Sequence, residues 1–255
     1  PEALAVRLSD RHFGIGGDGI ILVCPSKVAD AKMKMYNLDG SEGKMCGNGI
    51  RCVGKFLYDH GMVDINEKDE ITIETLSGIK KLKAYTSGGK VNRLRVDMGK
   101  AILEPKEIPV VLDGDKVVDR PVEIAGKNYN ITCVSMGNPH CVVFMDDIDN
   151  LDIETVGPEF ENDKLFPERV NTEFVTVLDD HTIKMRVWER GSGETWACGT
   201  GACAVAVAAC ENGFCKKGED IKIKLKGGDL IINYTDETVY MTGNAEKVFE
   251  GEVEV

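Results

Sequence analysis

No stretch of this sequence approaches the roughly 18 consecutive apolar residues that a membrane-spanning helix requires. Pro1 to Asp10 contain no basic stretch followed by an apolar core, so the pattern of a secretory signal is missing. Positive charge is in deficit: 31 Lys and Arg against 43 Asp and Glu leave a net charge of -12. Such a chain lacks the positive field that draws phosphates, which argues against a nucleic-acid partner. An anionic ligand would have to be held by a local device such as a helix N-terminus. No two cysteines are spaced C-x-x-C, which argues against zinc ribbons and thioredoxin chemistry, and four scattered histidines predict no metal site. The nine cysteines are odd in number, in a chain too large to need disulfide staples. Free thiols in a reducing, cytoplasmic setting are expected.

What is present is 255 residues, 42% hydrophobic and 29% charged, enough for one large globular domain or two smaller ones. Most of the chain reads as short strands separated by turn residues. They are expected at Ile20–Cys24, Lys32–Tyr36, Glu70–Leu76, Lys80–Tyr85 and Arg93–Met98. The rhythm resumes at Tyr129–Ser135, Cys141–Met145, Glu173–Leu178, Thr182–Glu189, Ile221–Leu225, Leu230–Tyr234 and Val239–Thr242. Two segments break it. Ile50 to His60 places Ile50, Val53, Phe56 and Leu57 at helical spacing, with Gly61 after it. Ala202 to Asn212, with Ala204, Val205, Ala208 and Ala209 along one face, is apolar almost all round, and a helix buried on every side is expected.

The two helices have matching entrances. Cys46-Gly47-Asn48-Gly49 opens one and Cys198-Gly199-Thr200-Gly201 the other. This reads as an internal repeat of long period: two halves, each of strands around one helix. The expected domains are residues 1–104, with 246–255 returning to them, and residues 105–245; the junction lies at Pro105 to Pro109.

Cysteine ahead of a glycine-rich helix start has a chemical consequence. The first helical N–H groups have no internal partner, and the dipole favours negative charge there. A thiolate is favoured at such a place, and a carboxylate can dock on the same N–H groups. If two such ends face one bound carboxylate, one thiolate can remove its α-proton. The opposite thiol can then return a proton to the other face, inverting the carbon. The helix ends stabilise the developing charge, and no cofactor is needed as an electron sink. A single cysteine is more often a small buried hydrophobe, the reading given to Cys24, Cys52, Cys133, Cys141, Cys203, Cys210 and Cys215. Cys46 and Cys198 are set apart by their matched entrances.

Five motifs in order carry a family resemblance over essentially the whole chain: Phe13-Gly14-Ile15-Gly16-Gly17-Asp18-Gly19; Asn37 to Glu42 followed by Met45 to Cys52; Met136-Gly137-Asn138-Pro139-His140-Cys141; Glu189-Arg190-Gly191; and Ala197 to Cys203. Together they resemble the diaminopimelate epimerases. The resemblance implies an α+β fold of two pseudo-symmetric, strand-rich, barrel-like domains, each around a central helix, with the active site in the cleft between them. It implies conversion of L,L-2,6-diaminopimelate to the meso form, in lysine and peptidoglycan-precursor synthesis, without a cofactor. Cys46 and Cys198 would be the acid–base pair. Gly47, Asn48, Gly199 and Thr200 would bind the reacting carboxylate. Asn37, Asn138, Asn171, Glu189 and Arg190 would hold the substrate, with His140 near the site. A planar guanidinium suits the distal carboxylate, and Glu189 with asparagine carbonyls suits the distal ammonium. Family habit also implies a homodimer.

Two departures accompany the resemblance. The family's opening strand and Gly-Leu-Gly-Asn-Asp-like segment lies upstream of Pro1. Without it, an edge strand and a substrate-contacting asparagine would be missing and binding weakened. Gly19 stands where some members carry a substrate-contacting glutamine. The alternative readings are a proline or hydroxyproline racemase, whose first cysteine motif usually reads Cys-Gly-His, and a non-catalytic member of the family. A phenazine-biosynthesis-type isomerase would lack the two cysteines.

Overall fold

A computed structural model describes residues 1–65 and 70–254. The chain divides into two compact units, one formed by residues 1–97 with 243–255 and the other by residues 98–242. The C-terminal end thus belongs with the N-terminal unit.

The first unit contains helix α1 (Glu2–Ser9), strands β1 (Gly19–Cys24), β2 (Ala31–Asn37) and β3 (Glu42–Gly43), helix α2 (Gly47–Asp59), and strands β4 (Ile71–Thr75), β5 (Gly78–Ser87) and β6 (Lys90–Asp97). The strands run in the order β1-β2-β4-β5-β6, with β3 beside β2. All neighbours are antiparallel except β2 and β4. Alternation decides which side is buried: Ile71, Ile73 and Thr75 of β4 point inward while Thr72 and Glu74 are half-exposed. Helix α2 lies against β4, β5 and β6, burying Ile50, Val53 and Leu57. Phe56, expected on that face, is instead exposed and stacks on His60, with ring centroids 4.1 Å apart. Helix α1 lies where no regular element was expected and packs on β1 and β2.

The second unit begins with a short 3-10 turn at Pro105–Glu107 and continues through β7 (Arg120–Ile124), β8 (Lys127–Ser135), β9 (Pro139–Phe144), α3 (Ile153–Glu161), β10 (Asn171–Asp179), β11 (Thr182–Glu189), β12 (Gly193–Thr195), α4 (Gly199–Glu211), β13 (Asp220–Leu225), β14 (Gly228–Tyr234) and β15 (Val239–Asn244). Its order is β15-β14-β13-β11-β10-β9-β8-β7, with β12 on β11. Pairs β9–β10 and β11–β13 are parallel. Helix α4 touches β8, β9, β10, β13 and β14, so the sheet wraps around it. Every residue from Ala202 to Ala209 is buried, as an all-apolar helix requires. The opposite face of β8–β10 carries a second core, where Ile131, Cys133, Cys141, Val143 and Phe174 meet Phe160 of α3. The middle of the sheet is therefore covered on both sides. The architecture is α+β and rich in strands, with one central helix packed on strands in each unit.

Candidate active site

Both cysteine-bearing entrances form the same cap. Cys46 is the N-cap of α2, in extended backbone (φ -127°, ψ 120°), and its Sγ accepts the Gly49 N–H at 3.3 Å. Cys198 is the N-cap of α4 (φ -117°, ψ 111°), and its Sγ accepts the Gly201 N–H at 3.4 Å. The helices begin at Gly47 and Gly199, three residues before the expected starts at Ile50 and Ala202, because the glycine turn is itself helical. All nine cysteines are free thiols. Of those read as buried hydrophobes, Cys133, Cys141, Cys203 and Cys215 are buried, Cys24 and Cys210 half-buried, and Cys52 exposed; Cys52 falls on the outer face of α2.

In the first unit, Arg51 is buried and donates to the Gly47 carbonyl at 2.9 Å, to Asn48 Oδ1 at 3.1 Å and to the Asn244 carbonyl at 3.2 Å. It thereby ties the returning C-terminal segment to the entrance of α2. Asn37, at the end of β2, donates to Ser41 Oγ at 2.9 Å, and Ser41 donates to Asp39 at 2.6 Å. Gly19 has φ +152°, and a Cβ there would collide with the Tyr36 carbonyl. No glutamine fits that position while β1 pairs with β2.

In the second unit, strand alternation sorts the polar residues. Cys141 and Phe174 belong to the apolar core on one face, so His140 and Glu173, one residue away on β9 and β10, point to the α4 face. His140 Nδ1 lies 2.7 Å from Glu173 Oε1, and both side chains are fully buried. His140 Nε2 lies 3.1 Å from Asn138 Oδ1, Asn138 donates to Thr200 Oγ1 at 3.3 Å, and Thr200 Oγ1 lies 3.6 Å from Cys198 Sγ. Four of the expected site residues are thus joined in one chain of contacts, with Glu173, which sequence reasoning did not single out, at its far end. A charged residue heading the otherwise apolar and β-branched run Phe174 to Leu178 was the available signal.

The turn after β11 is anchored separately. Asn171 is buried, donating to the Pro139 carbonyl at 2.8 Å and accepting the Arg190 N–H at 3.0 Å. The Arg190 guanidinium donates to the Glu168 carbonyl at 2.8 Å, and Glu189 accepts from the Thr195 hydroxyl. Glu161, at the end of α3, accepts from Trp188 Nε1 at 2.7 Å, Gly191 N–H at 2.9 Å and Arg169 at 3.0 Å. It is a second residue that sequence reasoning missed, because Pro158 inside α3 disguised the helix that carries it.

Electrostatics differ from the simple helix-end expectation at Cys198. Burial pushes its thiol well up, and the Glu189 and Glu173 carboxylates push it further. These outweigh the Thr200 hydroxyl and the Gly201 N–H.

The motifs that cap these helices recur in known proteins. The profile of the family described as diaminopimelate epimerase matches residues 1–104 and 132–248. The chain belongs to the diaminopimelate epimerase family. It is 53% identical over 257 residues to a diaminopimelate epimerase of Acetivibrio thermocellus, covering 100% of this chain and 90% of that one. It is 52% identical over 264 residues to one from Agathobacter rectalis, covering 100% and 91%. Among solved structures it is similar to a probable proline racemase from Agrobacterium radiobacter K84 solved with bound carbonate. That match has a TM-score of 0.70 and 18% identity over 95% of this chain and 78% of the other. Identity that low speaks for the shared fold alone, whereas the epimerase relatives match in sequence over the whole of this chain. Among the described residues, no helix is long and apolar enough to cross a membrane.

Proposed function

We propose that this protein is an isomerase that epimerises L,L-2,6-diaminopimelate to the meso isomer in lysine and peptidoglycan-precursor synthesis, with Cys46 and Cys198 as its acid–base pair. The reading is carried by the two free cysteines that cap α2 and α4 in the same way, in a chain about half identical to diaminopimelate epimerases over its full length.

In the proposed reaction the substrate carboxylate docks on the N–H groups at Gly47, Asn48, Gly199 and Thr200. One thiolate removes the α-proton, and the C–H electron pair passes into the carboxylate, where the helix ends stabilise it. The opposite thiol delivers its proton to the other face of the carbon. One sulfur ends protonated and the other ionised, the state set for the reverse reaction, so proton exchange with solvent must restore the first state before the next forward turnover. Asn37, Asn138, Glu189 and Arg190 hold the distal amino acid, and Asn171 supports Arg190 through its backbone. No electron sink beyond the carboxylate is required.

The test is incubation of the reduced protein with L,L-diaminopimelate in D2O, followed by proton NMR. The α-proton signal should disappear as the meso isomer forms, and neither should occur with Cys46→Ala or Cys198→Ala. General acid–base groups contribute about 10²–10⁴-fold, so each variant should fall by at least about 100-fold. Exchange with L-proline but not with diaminopimelate overturns the assignment in favour of a proline racemase.

A further inference from the structure

Arg190 stands on the turn between β11 and β12, and its guanidinium is held by the loop that precedes β10. Its Nη1 donates to the Glu168 carbonyl at 2.8 Å. Glu168 lies in a turn closed by the Arg169 N–H on the Phe166 carbonyl at 2.8 Å. Arg169 has φ +59°, a left-handed backbone that bulky residues seldom adopt. Rotation about φ sets the plane of the preceding peptide, so this conformation aims the Glu168 carbonyl. Strain of this kind persists only where the surroundings enforce it.

Glu161, buried at the end of α3, supplies that enforcement. Its Oε2 is fixed by Trp188 Nε1 at 2.7 Å, and the indole is wedged against α3 at Gly157, where a Cβ would stand 2.4 Å from the ring. Its Oε1 has two donors, the Gly191 N–H at 2.9 Å and Arg169 Nη1 at 3.0 Å. Gly191 is the residue after Arg190, and Arg169 is the residue after Glu168. One oxygen thus gathers the backbone that carries the guanidinium and the loop that carries its acceptor. The charges divide to the same end. The Glu161 carboxylate pairs with Arg169, whereas the acceptor of Arg190 is a neutral carbonyl. The Arg190 guanidinium keeps its charge for an anionic group, in a planar fork suited to a carboxylate.

We infer that Glu161 is a positioning residue for Arg190: by holding the Gly191 N–H and the Arg169 guanidinium on one oxygen, it fixes the Glu168 carbonyl and, through it, the guanidinium that selects a substrate with a second carboxylate. Glu161 acts on substrate only through Arg190. The inference rests on the substrate role proposed above for Arg190, but half of its test uses no substrate, so the two can fail separately.

The experiment pairs 15N NMR of arginine-labelled protein with steady-state kinetics on L,L-diaminopimelate. The Arg190 and Arg186 signals are assigned from their lysine variants. A guanidinium held by a carbonyl rotates slowly about its Cζ–Nη bonds and gives separate Nη resonances, where a free one gives a single average. Arg190 should show separate resonances in the unaltered protein, and an averaged signal there overturns the inference with no variant needed. Two variants follow. Glu161→Gln keeps the size of the side chain but replaces one accepting oxygen with a donor. Arg169→Gly suits the left-handed turn but removes the clamp. In both, the Arg190 resonances should merge, while those of Arg186, bonded to the Ile148 and Leu151 carbonyls, stay separate. KM should rise about tenfold in both, as the loss of one charge-assisted contact implies, with kcat changed by less than about threefold, the pattern of lost uniform binding. Arg190 resonances unchanged in the folded variants, or a fall in kcat at constant KM, overturn the inference. Absence of turnover in the unaltered protein removes the proposed substrate and leaves the resonances to decide whether Glu161 holds Arg190.

Discussion

At the scale of single residues, a few buried carboxylates do work that no motif announces. Glu161 satisfies three donors at once, two of them the Trp188 indole and the Gly191 backbone. Glu161→Ala strands the half-buried Trp188 indole N–H and removes the acceptor that holds the exposed Gly191 N–H, and unfolding free energy should drop by about 1–3 kcal/mol in all. Urea titration checks this, and the Gly191 turn should also lose protection in hydrogen exchange. Glu194 makes a second case. Burial pushes its carboxyl up, and bonds to Arg186 at 2.8 Å and Lys226 at 2.7 Å more than reverse this, leaving it below its ordinary value. A lowered carboxyl stabilises the fold above its unfolded value, near 4.3, and loses that contribution as pH falls through its folded value. Glu194→Gln should therefore cost about 1–3 kcal/mol at pH 7 and less at about pH 3, below the unfolded carboxyl value. Denaturation midpoints of both proteins at the two pH values decide the point; an equal deficit at both would refute the ion-pair account.

At the scale of elements, close approach is bought with glycine. Helix α3 sits on Trp188 of β11 at Gly157, where a Cβ would run into the indole ring. Alanine is the better helix former by roughly 1 kcal/mol, but overpacking against a rigid ring costs about 1–3 kcal/mol. Gly157→Ala should thus destabilise on balance, and a raised thermal midpoint would show that propensity wins. All the described strands but β3, β7 and β12, and both central helices, were legible from the sequence, since alternation and 3.6-residue spacing are local signals. Strand β11 was read at its observed bounds, Thr182–Glu189. The elements that escaped have weak local signals. α1 is short and mixed in character, α3 carries Pro158, β3 has two residues and β12 three. Such elements exist because partners hold them: β12 pairs with β11, and α1 packs on β1 and β2. Phe56 shows the converse, a residue at the right spacing for the core that lies just beyond the edge of the buried stripe.

At the scale of the whole molecule, the proposed mechanism requires the two sulfurs to meet across one small carbon centre. A disulfide forms only when the Cα atoms come within about 7 Å, so mild oxidation serves as a ruler. Oxidised protein should lose its exchange activity and show a Cys46–Cys198 crosslink by peptide mass mapping, and dithiothreitol should restore activity. Activity indifferent to oxidant and reductant would refute the opposed-thiol arrangement.

Sequence by itself determined the strand-rich α+β character, the two helices, the cysteines that cap them and the family, because these depend on periodicity, turn chemistry and short motifs that sit together in the chain. Only the tertiary structure decided that Arg51 underlies one entrance and Glu173 the other, and that Asn171 and Glu161 brace the Arg190 turn. Those relations join residues far apart in sequence, and the register of β9 with β10, which sets His140 and Glu173 on the same face as α4, is written in no local pattern. A carboxylate 25 residues before Cys198 carries no sign of its neighbour until the sheet closes around the helix.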